Sequence, residues 1–273
     1  MNNVKKLFLI IALYSYSFVN AQYYTGTGEV VDVAALAKAS QKIQISERSF
    51  ANLPAKFSLE KYMPTPGDQG QYGTCVAWAV GYGMSTILYA KTHGLTDKNI
   101  INKYASSPSF LYQQVKDATD DDCPGAANTI NAIVSLIKVG VTTLKTVPYT
   151  CFANISNGAK EEALNYTISD ASILFAQKGI LKDDALVKTS EESVEIVKKA
   201  FVEGSPVAIS FLLPPSFNKI NSPILTLDEK EKFDEWKNGS HAMCVIGYND
   251  KIEGGAFRVL NNWGSNWNDN GLI

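Results

Sequence analysis

The chain has 273 residues, 45% hydrophobic and 19% charged, with a formal net charge of −2. That is enough apolar material for a sizeable core, and it excludes a disordered chain. The mild acidity argues against nucleic acid or an anionic membrane as partner, and four cysteines without a CxxC pair or a His/Cys cluster argue against a zinc site.

In chain order, Met1 to Ala21 carries Lys5 and Lys6, then the apolar run Leu7 to Leu13, then Val19-Asn20-Ala21. This pattern predicts a signal peptide over 1–21, cleaved before Gln22, and Tyr14 to Asn20 is too polar for a membrane span. Loss of the two lysines takes the charge from −2 to −4. The expected product is secreted or periplasmic and is not held in a membrane after cleavage. Residues 22–51 hold no chemistry-bearing motif, although Val30 to Lys42 fits a short amphipathic helix. A single domain is expected over 52–273, opening on Leu53 to Leu59.

Next comes Asp68-Gln69-Gly70-Gln71-Tyr72-Gly73-Thr74-Cys75-Val76-Ala77-Trp78-Ala79. Glycines bend the chain just before a thiol, and the thiol opens an apolar helical pattern. The partial positive charge at a helix N-terminus favours thiolate, the nucleophilic form. Read alone, Cys75 is more often a small buried hydrophobe than a nucleophile. A helix over Cys75 to Thr92 would bury Val80, Met84, Ile87 and Leu88. Pro108 reads as a first helical position, followed by Phe110 and Leu111. Asn128 caps a third helix with Ile130, Ile133, Val134 and Ile137 on one face, ended before Gly140. Thr189 and Glu192 form a capping box for a helix to Val202.

After Gly204 the pattern changes to strands, beginning with Val207 to Leu213. Helices first and strands later predict an α+β fold: a helical lobe, an antiparallel β lobe, and a cleft between them. The run His241-Ala242-Met243-Cys244-Val245-Ile246-Gly247-Tyr248 reads as a buried strand, and Ala256 to Gly264 as another, with turn-rich Asn249 to Gly255 between.

Of the two histidines, His93 ends the helix that Cys75 begins, about 27 Å away at 1.5 Å per residue, and reads as a C-terminal cap. His241 is therefore the one candidate base. A hairpin centred near Lys251 pairs positions whose numbers sum to about 502, which sets Asn261 opposite His241, with Asn262 an alternative after a one-residue slip.

These residues carry a resemblance. Gln69 to Cys75 resembles the Gln-Gly-x-Cys-Gly-Ser-Cys segment of papain-like cysteine proteases. Ser240-His241-Ala242 through Gly247-Tyr248 resembles their His-Ala-x-x-x-x-Gly-Tyr strand. Asn261-Asn262-Trp263-Gly264 and Trp267-Asn268-Asp269-Asn270-Gly271 resemble their Asn-Ser-Trp-Gly and Trp-Gly-x-x-Gly blocks. Three blocks in the order Cys, His, Asn make the likeness specific. Taken singly, Gln69 is a loop residue, Asn261 a turn residue, and Trp263 and Trp267 core aromatics. The chain departs from the family pattern at Tyr72, where a cysteine is usual, at Val76 for tryptophan, and at Asn262 for serine.

The resemblance implies a secreted cysteine endopeptidase of papain-like two-lobe fold, acting on polypeptides as a monomer without cofactor or metal. It implies Cys75 as nucleophile, His241 as general base and then acid, Asn261 as the group orienting the imidazole, and Gln69 as oxyanion donor. Trp263 would shield the His241–Asn261 contact. It implies a pocket from Gly125, Ala126, Ala127, Asn128, Ser210, Gly239, Ser240 and Ala242; these small residues predict a small or hydrophobic side chain two residues before the scissile bond. Residues 22–51 would be a short propeptide or a linker. Cys123 and Cys151 flank the third helix and are a candidate disulfide in an oxidising compartment, the alternative being two thiols; Cys244 is expected to be a buried thiol. The chain ends inside an apolar strand at Ile273, so C-terminal strands of the β lobe are expected to be missing. The alternatives are a catalytically silent peptide-binding module and another Cys–His acyl-transfer enzyme, an amidase or transamidase.

Overall fold

The structure, a computed structural model, describes residues 53–123, 125, 127–175, 189–217, 220, 222–226, 231 and 240–273. The leader, the 22–51 stretch with its expected helix, Ala126 and Gly239 lie outside the described residues.

A helical stretch follows Cys75 and is buried along nearly its whole length. Its first part, Ala77–Ser85, is π-helical, and it runs directly into α1, Thr86–Thr92. Gly81 and Gly83 make this burial possible. A Cβ on Gly81 would lie 3.0 Å from the Leu111 side chain, and one on Gly83 would lie 3.0 Å from Cys244 Cβ. The helix carrying the thiol is thereby seated against both lobes.

Helix α2 spans Lys98–Lys103 and is capped by the Asp97 carboxylate; α3 spans Pro108–Val115, with proline in its first turn and the Ser107 hydroxyl as cap. In α4, Thr129–Lys138, Asn128 accepts from the backbone of Ile130 and Asn131. The face that α4 buries deepest is Ala132, Ser135 and Leu136, while Ile130, Ile133, Val134 and Ile137 are only half-buried. The deeply buried set lies two positions along the chain from the predicted one, nearly the opposite side of a helix with 3.6 residues per turn, and its Ala132 and Ser135 are weak hydrophobic signals. Helix α5 spans Asn157–Ala163. Helix α6, Ser190–Val202, starts on the reciprocal capping box of Thr189 and Glu192 and buries Ile196, Val197, Ala200 and Phe201.

The sheet is antiparallel and centred on β3, Ser240–Asn249. Strand β2, Val207–Leu212, pairs with its first half and β4, Ala256–Leu260, with its second. Strand β1, Lys56–Ser58, pairs with Gly247 to Asn249. Among the described residues β1 precedes every helix, so the β lobe receives a strand before the helical lobe is built, which amends the helices-then-strands reading. A Cβ at Gly247 would lie 2.5 Å from Phe57 O, so this crossing requires glycine there. At the chain's end, Ile273 pairs with Val259 through two backbone hydrogen bonds of 2.7 and 3.1 Å.

The hairpin register differs from the predicted one. The expected sum sets Cys244 opposite Arg258; the structure sets it opposite Leu260, with a bulge between Val245 and Gly247. The turn lies further along than Lys251, and the bulge takes back one position of that shift.

Candidate active site

Cys75 sits at the mouth of the central helix and is 0% exposed, as is His241 near the start of β3. His93 ends α1, its ring stacked on Tyr89 and its Nδ1 2.9 Å from the Tyr89 carbonyl, which is the capping role.

Asn261 follows β4 directly. Its Oδ1 lies 2.9 Å from His241 Nε2 and also accepts the Asn262 backbone N–H at 2.9 Å. The second bond identifies this atom as the carbonyl oxygen of the carboxamide. His241 Nε2 must then carry the proton, which leaves Nδ1 as the basic ring nitrogen. The contact predicted from register arithmetic is therefore present, although Asn261 reaches His241 from beyond the strand end and not as a directly opposed pair.

An aromatic wall surrounds this couple. The Trp263 ring lies 5.1 Å from the imidazole, Phe217 meets Trp263 edge-on at 5.3 Å, and Trp267 stacks on Phe217 at 5.4 Å. Such cladding excludes water and strengthens the polar contacts inside. Phe217 escaped the sequence reading, since nothing in Leu213-Pro214-Pro215-Ser216-Phe217 has strand or helix periodicity to mark it.

Gln69 is 0% exposed. Its Nε2 donates to the Tyr72 carbonyl at 2.8 Å, and its backbone N–H donates to Asn262 O at 2.9 Å. The Gly73 N–H donates to Cys123 O at 2.9 Å, and Cys123 is disulfide-bonded to Cys151. The loop before the thiol is thus tied to the cross-linked segment.

Tyr149 adds a second tie that the sequence did not reveal. Its hydroxyl donates to Gln69 O at 2.7 Å and lies 2.7 Å from Thr74 Oγ1. A phenol has one hydrogen, so the Thr74 hydroxyl donates in the second bond. Burial pushes the Tyr149 phenol above its ordinary range, which keeps it a donor at neutral pH. Tyr149→Phe is expected to loosen the Gln69–Thr74 loop and lower kcat about tenfold, the rate equivalent of about 1.4 kcal/mol. Steady-state kinetics beside a thermal melt checks this.

The residues expected to line the substrate pocket divide. Asn128 and Ser210 border a cavity of about 640 Å³, together with Thr129, Ile133, Phe175 and Ala208. Ser210 pairs with Ala242 across β2 and β3, and its hydroxyl lies 3.1 Å from Thr129 Oγ1. Ala127 and Ala242 are 0% exposed in the core, Gly125 is buried, and Ser240 is half-buried at the start of β3. Cys244 is a buried thiol, and burial pushes its pKa well above the ordinary thiol range, so it stays protonated. Among the described residues no group of three or more His, Cys, Asp or Glu is placed to hold a metal, and no helix is long and apolar enough to cross a membrane.

Against known proteins, the sequence profile described as papain family cysteine protease matches residues 55–273. A curated relative, an uncharacterized peptidase C1-like protein L477 of Acanthamoeba polyphaga mimivirus, is 26% identical over 227 residues, covering 80% of this chain and 67% of that protein. Among solved structures, xylellain, a cysteine protease from Xylella fastidiosa, superposes with a TM-score of 0.70 at 22% identity, covering 94% of this chain and 91% of that one. Procathepsin B S9 from Trypanosoma congolense superposes with a TM-score of 0.65 at 14% identity, covering 91% and 80%.

Proposed function

The chain belongs to the papain family of cysteine proteases and is a cysteine-type peptidase acting on polypeptides; on that premise we propose a secreted endopeptidase that works through an acyl-thioester on Cys75. His241 Nδ1 takes the thiol proton, and the thiolate attacks the scissile carbonyl carbon. The resulting oxyanion receives hydrogen bonds from the Gln69 carboxamide and the Cys75 backbone N–H. The imidazolium then gives its proton to the leaving amine, the C–N bond breaks, and the acyl group stays on sulfur. Water, deprotonated by His241, releases the acid and restores the thiol.

The observation that carries this reading is the double acceptance at Asn261 Oδ1, which supports an imidazole held in the tautomer that exposes Nδ1 as base. Export rests on the leader over 1–21, and 22–51 then forms a short propeptide or linker ahead of a monomeric peptidase domain. The small residues that the family likeness assigns to the pocket, Asn128 and Ser210 among them, support a hydrophobic or small side chain two residues before the cut.

The test is cleavage of an unstructured protein by the purified chain, with cut sites mapped by mass and the exported product weighed. Internal cuts and a product beginning at Gln22 are expected. Peptide binding without any cleavage would overturn the reading in favour of a silent binding module.

A further inference from the structure

We infer that Asn262 is a positioning residue that holds the nucleophile and the base in register across the two lobes. The inference rests on the reading of Cys75 as nucleophile and His241 as base.

Asn262 is 4% exposed and hydrogen-bonds to Gln69, Cys75, Asn261 and Ala242. Its Nδ2 donates to the Cys75 carbonyl at 3.1 Å and to the Ala242 carbonyl at 3.3 Å. The first acceptor is the backbone of the thiol residue; the second belongs to the residue after the imidazole. Its backbone N–H holds Asn261 Oδ1, and its carbonyl accepts from Gln69 N. One residue thus touches the backbone or side chain of Gln69, Cys75 and Asn261, and the peptide next to His241.

The chemistry selects asparagine. Two carbonyl oxygens on opposite lobes face one point, and an NH₂ group supplies one hydrogen to each. The carboxamide orientation follows, because its oxygen turned to the same two carbonyls would repel both. A serine hydroxyl has a single hydrogen and satisfies one lobe at a time. An aspartate would set a negative oxygen against two buried carbonyls. The two bonds fix the helix mouth relative to the start of β3, and that separation sets how readily a proton passes from thiol to imidazole. A displacement on the order of 1 Å costs about 100-fold in rate.

The test compares Asn262→Ala, Asn262→Ser and Asn262→Asp with the wild type by kcat, KM, the pH profile of kcat/KM and a thermal melt. Asn262→Ala is expected to lower kcat by about 100-fold with KM little changed. The acid limb of kcat/KM, which reports the thiol–imidazole couple of the free enzyme, should move toward neutral. Asn262→Ser should recover part of the rate, and Asn262→Asp should be worse than alanine. Should Asn262→Ala fail to fold, the serine variant keeps one bond and still must show a partial kcat loss with a shifted acid limb. Variants that melt earlier but keep the wild-type kcat and pH profile would overturn the inference and leave the nucleophile assignment standing. A wild type inert towards peptides would overturn both.

Discussion

Replacing Cys75 with alanine is expected to abolish peptide-bond cleavage, a fall in kcat of about 10⁵-fold or more, with the fold intact. Cys75 is wholly buried among core residues, and alanine removes a single sulfur, so the helix mouth keeps its neighbours. What disappears is the atom that forms the acyl bond, for which no other group in the site substitutes. Cys244 lies in β3 and is kept protonated by burial. His241→Ala is expected to match the loss, since without a base the thiol remains largely protonated. The double substitution should be no worse than either single one, because the two act as a unit. Additive losses in that cycle would contradict the pairing.

Gln69→Ala is expected to lower kcat by about 100- to 1000-fold, the usual cost of one oxyanion donor. The backbone of Gln69 is held independently of its side chain, by its N–H to Asn262 O and its carbonyl to the Tyr149 hydroxyl. Truncation therefore removes the carboxamide and its bond to the Tyr72 carbonyl while both backbone ties of Gln69 remain. The loss should fall on kcat with KM little changed, since the oxyanion exists only after attack. A variant altered in KM alone would place Gln69 in ground-state binding instead. Single-turnover kinetics on an ester and an amide substrate distinguishes the two.

Much of the helical lobe was legible because its signals are local. Pro108 in a first turn, Asn128 as a cap, and the Thr189–Glu192 box each act within four residues of themselves. The candidate base was reached by elimination: with two histidines, and His93 accounted for by its cap, His241 was what remained. The Asn261 contact was found through a hairpin register that the structure does not have. A bulge and a later turn shift the ladder, and Asn261 still reaches the ring because it lies past the end of β4, where the chain curls toward Gln69. Strand β1 was missed because three residues carry no period, and its partner lies some 190 positions away. Tyr149, Phe217 and the two-lobe donation of Asn262 were illegible for the same reason. Each depends on which surfaces meet after folding, and no spacing within the chain encodes that meeting.

As the proposed nucleophile, Cys75 must be activated although it is as buried as Cys244. Both thiols are 0% exposed, so burial alone predicts equal inertness. The direct measurement is to treat the folded enzyme with a peptidyl electrophile at neutral pH and locate the adduct by mass spectrometry. Alkylation is expected at Cys75, none at Cys244, and loss of the Cys75 adduct in His241→Ala. A folded enzyme left unmodified at Cys75, or labelled there equally in the His241→Ala variant, would contradict that activation.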